Sequence, residues 1–251
     1  MAEDRSVLDR AARGPDRSWD YGPDPTQVAD VYLPPASQQT PGRPLVVLIH
    51  GGYWRPEYDR AHLRPMAAAL AAAGHSTVLV EYRRVPGDPD AAIDDVRLAL
   101  TAMAAAGDGV DPSAGVVLVG HSAGGHLALL AADHQAVIGC LALAPVADLQ
   151  MAADLDLDDG AALAFLGCPP ADRADLDPAR CPAPSVPTTV VHGVEDSLVP
   201  VTMSESYCAD RSARLVLLPA IAHFEVIDPQ SAGWRSVMAE LAALVPPVGI
   251  E

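Results

Sequence analysis

Three residues in one chain order could carry acyl-transfer chemistry here: Ser122, Asp196 and His223. Ser122 lies in Gly120-His121-Ser122-Ala123-Gly124-Gly125, a Gly-x-Ser-x-Gly run. The apolar stretch Gly115 to Val119 precedes it, and the helix-friendly stretch His126 to Ala132 follows. Strand, sharp turn and helix form the setting of a nucleophile elbow, where a strained turn lifts a serine hydroxyl to a sheet edge. Gly120 and Gly124 lack a Cβ, so strand and helix can close on either side. The same run could be an empty glycine- and serine-rich turn, so its partners decide.

A serine hydroxyl needs a base, and the base needs an orienting group. The acid candidate lies in Val191-His192-Gly193-Val194-Glu195-Asp196-Ser197-Leu198-Val199-Pro200, a strand that ends in a turn with two carboxylates. Pro200 can open the next helix. Asp196, just past the strand end, is the expected acid. Glu195 competes, and is otherwise a solvated turn residue. The expected base is His223 in Ile221-Ala222-His223-Phe224-Glu225, a few residues beyond the last strand-like run. His192 also follows Ser122 near a strand end, and packing is its expected role. His134 lies at a helix end and His126 inside the helix after Ser122.

Acyl transfer also needs donors for the developing oxyanion, and losing one costs about 3–4 kcal/mol. The backbone N–H of Ala123 is one candidate. The others lie in His50-Gly51-Gly52-Tyr53-Trp54, directly after Val46-Val47-Leu48-Ile49. Consecutive glycines let main-chain N–H groups turn toward a ligand. His50 is expected to hold this loop by hydrogen bonds. Tyr53 and Trp54 are expected to offer an aromatic wall to substrate, with core packing as the alternative.

The elements that must position these residues read as βαβ units. Strand-like runs are Pro44 to Ile49, Ser76 to Glu81, Gly115 to Val119, Ala136 to Leu143, Thr188 to Val191 and Arg214 to Leu218. Most are continuously apolar, as parallel strands buried on both faces should be. Helical patterns run over Arg60 to Ala73, Pro89 to Ala106, Ser122 to Asp133, Val201 to Cys208 and Pro229 to Val245. Asp30-Val31-Tyr32-Leu33 reads as an antiparallel edge strand. Trp19 and Tyr21 suggest that part of the first 25 residues packs or lines the site. From about 146 to 187 the rhythm breaks into a proline-studded stretch with a short helix near Ala161 to Phe165. It is expected to form a small cap. Its acidic run, Asp154 to Asp159, is read as a solvated surface, since a calcium loop would need a central glycine and a terminal glutamate.

Composition narrows the function class. The 251 residues carry a formal charge of −17, and all 16 basic residues are arginine. Such acidity repels phosphate backbones and anionic lipid, which argues against nucleic-acid and membrane partners. The charged start, Met1 to Arg5, lacks an apolar follow-on, so a cytoplasmic protein is expected. The four cysteines (Cys140, Cys168, Cys181, Cys208) lack Cys-x-x-Cys spacing, so no metal and no cofactor are expected. Whether Cys168 and Cys181 approach each other is left open, as is a homodimer.

Together these residues resemble the hormone-sensitive-lipase-like branch of the α/β-hydrolases. Glu81-Tyr82-Arg83-Arg84-Val85-Pro86 and the following Asp90 to Asp95 are similar to that branch's Tyr-Arg-x-x-Pro stretch and helix. The resemblance covers about residues 30 to 245. It implies one α/β-hydrolase domain, with a mainly parallel central sheet, helices on both faces and a loop-rich cap. Many branch members carry a third glycine after His-Gly-Gly, where this chain has Tyr53 and Trp54. That departure, and Phe224 directly after His223, resemble the kynurenine formamidases (arylformamidases) of tryptophan catabolism. The resemblance implies a small-molecule aryl formamide as substrate, with Tyr53, Trp54 and Phe224 beside it. It leaves open which of Gly51, Gly52 and Tyr53 donate to the oxyanion. A carboxylesterase for short-chain esters is the alternative, and a non-catalytic binding protein on the same fold a minor one.

Overall fold

The computed structural model describes residues 3–107, 109–209 and 211–245. Eight strands form one sheet: β1 (Arg17–Asp20), β2 (Val28–Tyr32), β3 (Leu45–Ile49), β4 (Thr77–Val80), β5 (Val116–His121), β6 (Val137–Leu143), β7 (Thr188–Gly193) and β8 (Arg214–Leu218). Their order is β1-β2-β4-β3-β5-β6-β7-β8. The β1/β2 and β2/β4 pairs are antiparallel and the rest are parallel. The six expected parallel strands are all present, each within two residues of its predicted ends. The expected edge strand β2 is antiparallel but not an edge. The N-terminal strand β1 covers it, with Trp19 opposite Ala29.

The helices are α1 (Arg64–Ala72), α2 (Pro89–Ala102), α3 (Ala123–Ala131), α4 (Leu149–Asp154), α5 (Ala161–Leu166), α6 (Val201–Ala209) and α7 (Trp234–Leu244). Alternate strand residues face opposite layers. Val47 and Ile49 join a core with Val96, Leu127 and Met203 of α2, α3 and α6. Val46 and Leu48 join a second core with Met66 and Leu70 of α1 and Leu241 of α7. Two helices begin later than the pattern predicts. Arg60–Leu63 is a separate 3-10 turn, because Pro65 fixes the first turn of α1. The last helix starts at Trp234, since the Asp228 carboxylate and carbonyl take the N–H groups of Gln230 and Ser231 in a turn.

Between β6 and β7 the chain makes an excursion carrying α4, α5 and a 3-10 segment, Pro170–Leu176. Asp148 caps α4 by accepting from Met151 N at 2.7 Å. The acidic run is not merely solvated. Asp156, Asp158 and Asp159 take left-handed backbone, a region aspartate tolerates. Asp158 forms an ion pair with Arg55, next to the glycine loop. All four cysteines are free thiols, Cys168 and Cys181 included. Among the described residues no helix is long and apolar enough to cross a membrane.

Candidate active site

Ser122, Asp196 and His223 follow the carboxyl ends of β5, β7 and β8, and the glycine loop follows β3. Carboxyl ends of parallel strands are where open α/β sheets bind ligands. At the elbow, Ser122 has φ 55° and ψ −119° and α3 begins directly after it. The closeness of strand and helix leaves no room for side chains. A Cβ on Gly120 would lie 2.1 Å from the Gly124 carbonyl oxygen, and one on Gly124 only 2.2 Å from that of Ile49. Tyr53 and Trp54, at φ 48° and 55°, are two further non-glycine residues in left-handed backbone. Such conformations cost of order 1–3 kcal/mol each and persist only where the surroundings enforce them.

The acid loop makes a dense anion site around Asp196. Its Oδ1 accepts from the backbone N–H groups of Leu198 at 2.9 Å and Val199 at 2.8 Å. Its Oδ2 accepts from His223 Nδ1 at 2.7 Å and from His192 Nε2 at 3.1 Å. Burial would raise this carboxyl, but the hydrogen bonds from His192 and His223 outweigh it and hold the group well below the ordinary range. Glu195 is exposed, which decides between the two carboxylates. His192, expected to pack, is a positioning residue. The Ser204 hydroxyl donates to its Nδ1 at 2.7 Å, which leaves Nε2–H for Asp196 and the Val199 carbonyl. Nothing in the local sequence marks this; the i, i+4 contact arises from the turn after β7.

His121, the residue before the serine, holds the base loop from below. Its Nε2–H donates to the His223 carbonyl at 3.0 Å, and the two rings lie 4.6 Å apart. Burial keeps its imidazole neutral, well below the usual range. The glycine loop is fixed from behind, as expected of His50. That ring reaches the Gly51 carbonyl through Nδ1 at 2.8 Å and Glu81 through Nε2 at 2.9 Å. Tyr82 Oη donates to the His50 carbonyl at 2.9 Å. Glu81 also pairs with Arg84 and accepts from Arg60 N; burial would raise its carboxyl, but His50 first, then Arg84 and the Tyr82 N–H, hold it far down. Gly51 packs on the elbow: a Cβ there would sit 2.9 Å from the His121 carbonyl and 3.0 Å from Ser122 Cβ. Ala123, as the first residue of α3, has an N–H with no partner within the helix.

Ser122, His223, Gly52, Tyr53 and Phe224 line one cavity of about 80 Å³. Tyr53 lines it with its hydroxyl already committed, donating to the Leu198 carbonyl at 2.8 Å. Phe224 stands edge-on to His223 with ring centres 5.1 Å apart. Trp54, expected beside the substrate, lies elsewhere. It does not line this cavity; it is buried in the core, stacked on Phe165 of α5 at 4.5 Å and edge-on to His126. After the left-handed turn Tyr53 reaches the cavity of Ser122, whereas Trp54 packs against the excursion. The reading of Trp54 as a substrate wall is therefore corrected: it joins the glycine loop to the excursion. The cavity also takes residues that local motifs could not mark. These are Arg5, Leu8, Tyr58, His62 and Asp158. Burial, with His50 close by, lowers the His62 imidazole to about 4. Among the described residues no group of three or more His, Cys, Asp or Glu is placed to hold a metal ion.

Comparison with known proteins agrees with this geometry. Esterase B from Lactobacillus rhamnosis superimposes with a TM-score of 0.76 over 96% of this chain and 89% of that one, at 24% identity. A carbohydrate esterase from gut microbiota gives 0.72 over 92% of this chain and 99% of that one, at 19% identity. The chain has the α/β-hydrolase fold of these esterases. Residues 29–140 match the BD-FAE family model. Two curated proteins match over 111 residues, the kynurenine formamidases of Danio rerio at 35% identity and Salmo salar at 32%. That match spans 44% of this chain and 36% of each relative, so it reaches well under half of their length. The expected α/β-hydrolase fold is borne out, and these neighbours of the fold are esterases.

Proposed function

We propose that this hydrolase is a serine enzyme that removes a small acyl group through an acyl-enzyme, with an aryl formamide such as N-formylkynurenine as substrate. The observation that carries the reading is the hydrogen bond from His223 Nδ1 to buried Asp196, on the same cavity as the strained Ser122. With Nδ1 committed, Nε2 is the nitrogen left to take the serine proton. Ser122 Oγ attacks the formyl carbon as His223 takes that proton. The N–H of Ala123, with those of the Gly51-Gly52-Tyr53 loop, steadies the oxyanion. The C–N bond breaks as His223 returns the proton to the leaving amine. Water, deprotonated by His223, then attacks the formyl-Ser122 ester and releases formate and free serine. Asp196 orients the imidazole and stabilises its cationic form.

Cavity size supports a small acyl group. At about 80 Å³ it is roughly half the ~150 Å³ that encloses a benzene ring. An aryl leaving group would then lie toward Tyr58 and Phe224. The excursion between β6 and β7 serves as a cap, with Asp158 at the cavity and Phe165 on Trp54. A short-chain carboxylesterase is the second reading, favoured by the structural neighbours, which are esterases over nearly the whole chain. The kcat/KM values for N-formylkynurenine and p-nitrophenyl acetate decide between them. A ratio strongly favouring the formamide supports the first reading, and one strongly favouring the acetate supports the second. Loss of both activities in Ser122→Ala is expected; retention would overturn the serine mechanism.

A further inference from the structure

The cavity has a wall that comes from the far end of the chain. Residues 3–10 run across the site as a strap with a 3-10 turn at Ser6–Asp9. The strap is pinned at three places. The Glu3 carboxylate accepts from Ser197 N at 2.8 Å, Ser197 Oγ at 2.9 Å and His223 N at 3.0 Å. Val7 is buried in the second core, and Arg10 forms an ion pair with Asp228 at 2.6 Å. Between these pins Arg5 lines the cavity, with its guanidinium 5.5 Å from the ring centre of Phe224.

The charges around the cavity single out Arg5. Asp158 is paired with Arg55. Glu3 spends both carboxylate oxygens on three donors. His62 and His121 are held toward the neutral form by burial. Among the described residues Arg5 has no carboxylate partner, although acidic residues outnumber basic ones 33 to 16. Arg43, Arg211 and Arg235 also lack an ion pair, but of these arginines Arg5 alone lines the cavity that holds Ser122 and His223. A planar guanidinium stacked on an aromatic face keeps its N–H fork available for an oxyacid.

We infer that Arg5 selects substrates whose leaving group carries a carboxylate, holding that group at the mouth while the acyl carbon meets Ser122. This rests on the serine hydrolase reading and adds the charge of the substrate to it. The chain as a whole repels anions, and Arg5 reverses the sign locally, within the screening length of about 8–10 Å. Because Arg5 is exposed, the gain is modest, about three- to fivefold in kcat/KM, expressed mainly in KM.

The test uses two acetate esters, phenyl acetate and 4-acetoxybenzoate, which differ by a carboxylate on the leaving group. Their kcat/KM ratio is measured for the full chain and for Arg5→Gln, Arg5→Lys and Arg5→Glu. The expected ratio, anionic over neutral, falls about three- to fivefold in Arg5→Gln, is largely kept in Arg5→Lys and falls further in Arg5→Glu. The wild-type ratio also drops toward that of Arg5→Gln in 0.5 M NaCl. An unchanged ratio in Arg5→Gln overturns the inference, as does an equal loss on both esters, which would mark a structural role for the strap. Turnover of neither ester nor of N-formylkynurenine by the wild-type chain overturns the hydrolase reading itself and this inference with it.

Discussion

The floor of the site and its rim are built on different terms. The floor is Ser122, His223, Asp196 and the glycine loop. It is buried, and of its supports His192, His50 and Glu81 bond to several partners each, while His121 makes one bond, to the His223 carbonyl. The rim is Arg5, Tyr58 and Asp158, all exposed and borne on segments far apart in sequence. Tyr58 is 45% exposed, whereas the Asp196 side chain is fully covered. The contrast separates what any acyl transfer needs from what one substrate needs. Preorganised groups must hold their geometry before the reaction begins. Groups that greet a leaving group need only be near it and can vary without disturbing the chemistry.

The sharpest break of this contrast is expected at Asp196→Asn. The carboxylate fixes Nδ1–H of His223 and with it the free nitrogen. An amide can present its NH2 to that position and favour the wrong tautomer, which costs about 10⁴-fold in kcat in a comparable triad. The check is kcat on p-nitrophenyl acetate, together with near-ultraviolet circular dichroism for the fold. A fall of less than tenfold with the fold intact would move the orienting role to Glu195 or His192.

Support of the floor by charge can be tested through acid. Partners hold the carboxyls of Glu81 and Asp196 below their ordinary range. Groups depressed on folding stabilise the native state above the unfolded pKa, near 4, and that stability drains away as pH falls toward the folded value. Glu81→Gln removes one such group and leaves Arg84 without its buried partner. At pH 7 the variant is expected to lose about 3 kcal/mol, or roughly 6–12 °C in Tm. At pH 3 wild type and variant should draw closer, because Glu81 of the unfolded chain protonates there while the folded group stays ionised, so folding must release that proton. Thermal unfolding at both pH values reads this. A gap that stays constant or widens on acidification would show that Glu81 acts through packing rather than charge.

Most of the floor is legible in the sequence because its signals are local. Gly-x-Ser-x-Gly between an apolar run and a helix pattern, and His-Gly-Gly after another, each name a backbone geometry as well as a residue. Asp196 and His223 needed only strand ends to place them. What escaped was whatever depends on where a side chain points after a turn. Trp54 reads as a site aromatic because it adjoins Tyr53, yet one left-handed turn carries it into the core. His192 reads as packing because its contact with Asp196 exists only once the loop after β7 has closed. The rim escaped altogether, since no pattern ties residues 3–10 to a loop more than 200 positions away. The strand β1 was missed too: four residues of alternating exposure give little apolar signal.

The contrast is finest at Tyr58, where rim and floor touch. Its side chain lines the cavity and packs on the glycine loop, so that a Cβ on Gly52 would come within 2.5 Å of Tyr58 Cβ. If Tyr58 belongs to the rim, Tyr58→Ala removes aromatic surface from the leaving-group side. KM for p-nitrophenyl acetate then rises about three- to tenfold, the worth of a partly exposed aromatic contact. Because so much of the ring is exposed, Tm should shift by no more than about 2 °C. If instead Tyr58 is what braces Gly52, the loss falls on kcat, because the oxyanion loop would loosen in the transition state while ground-state binding stays. A tenfold fall in kcat at constant KM would therefore draw the boundary between floor and rim on the solvent side of Tyr58.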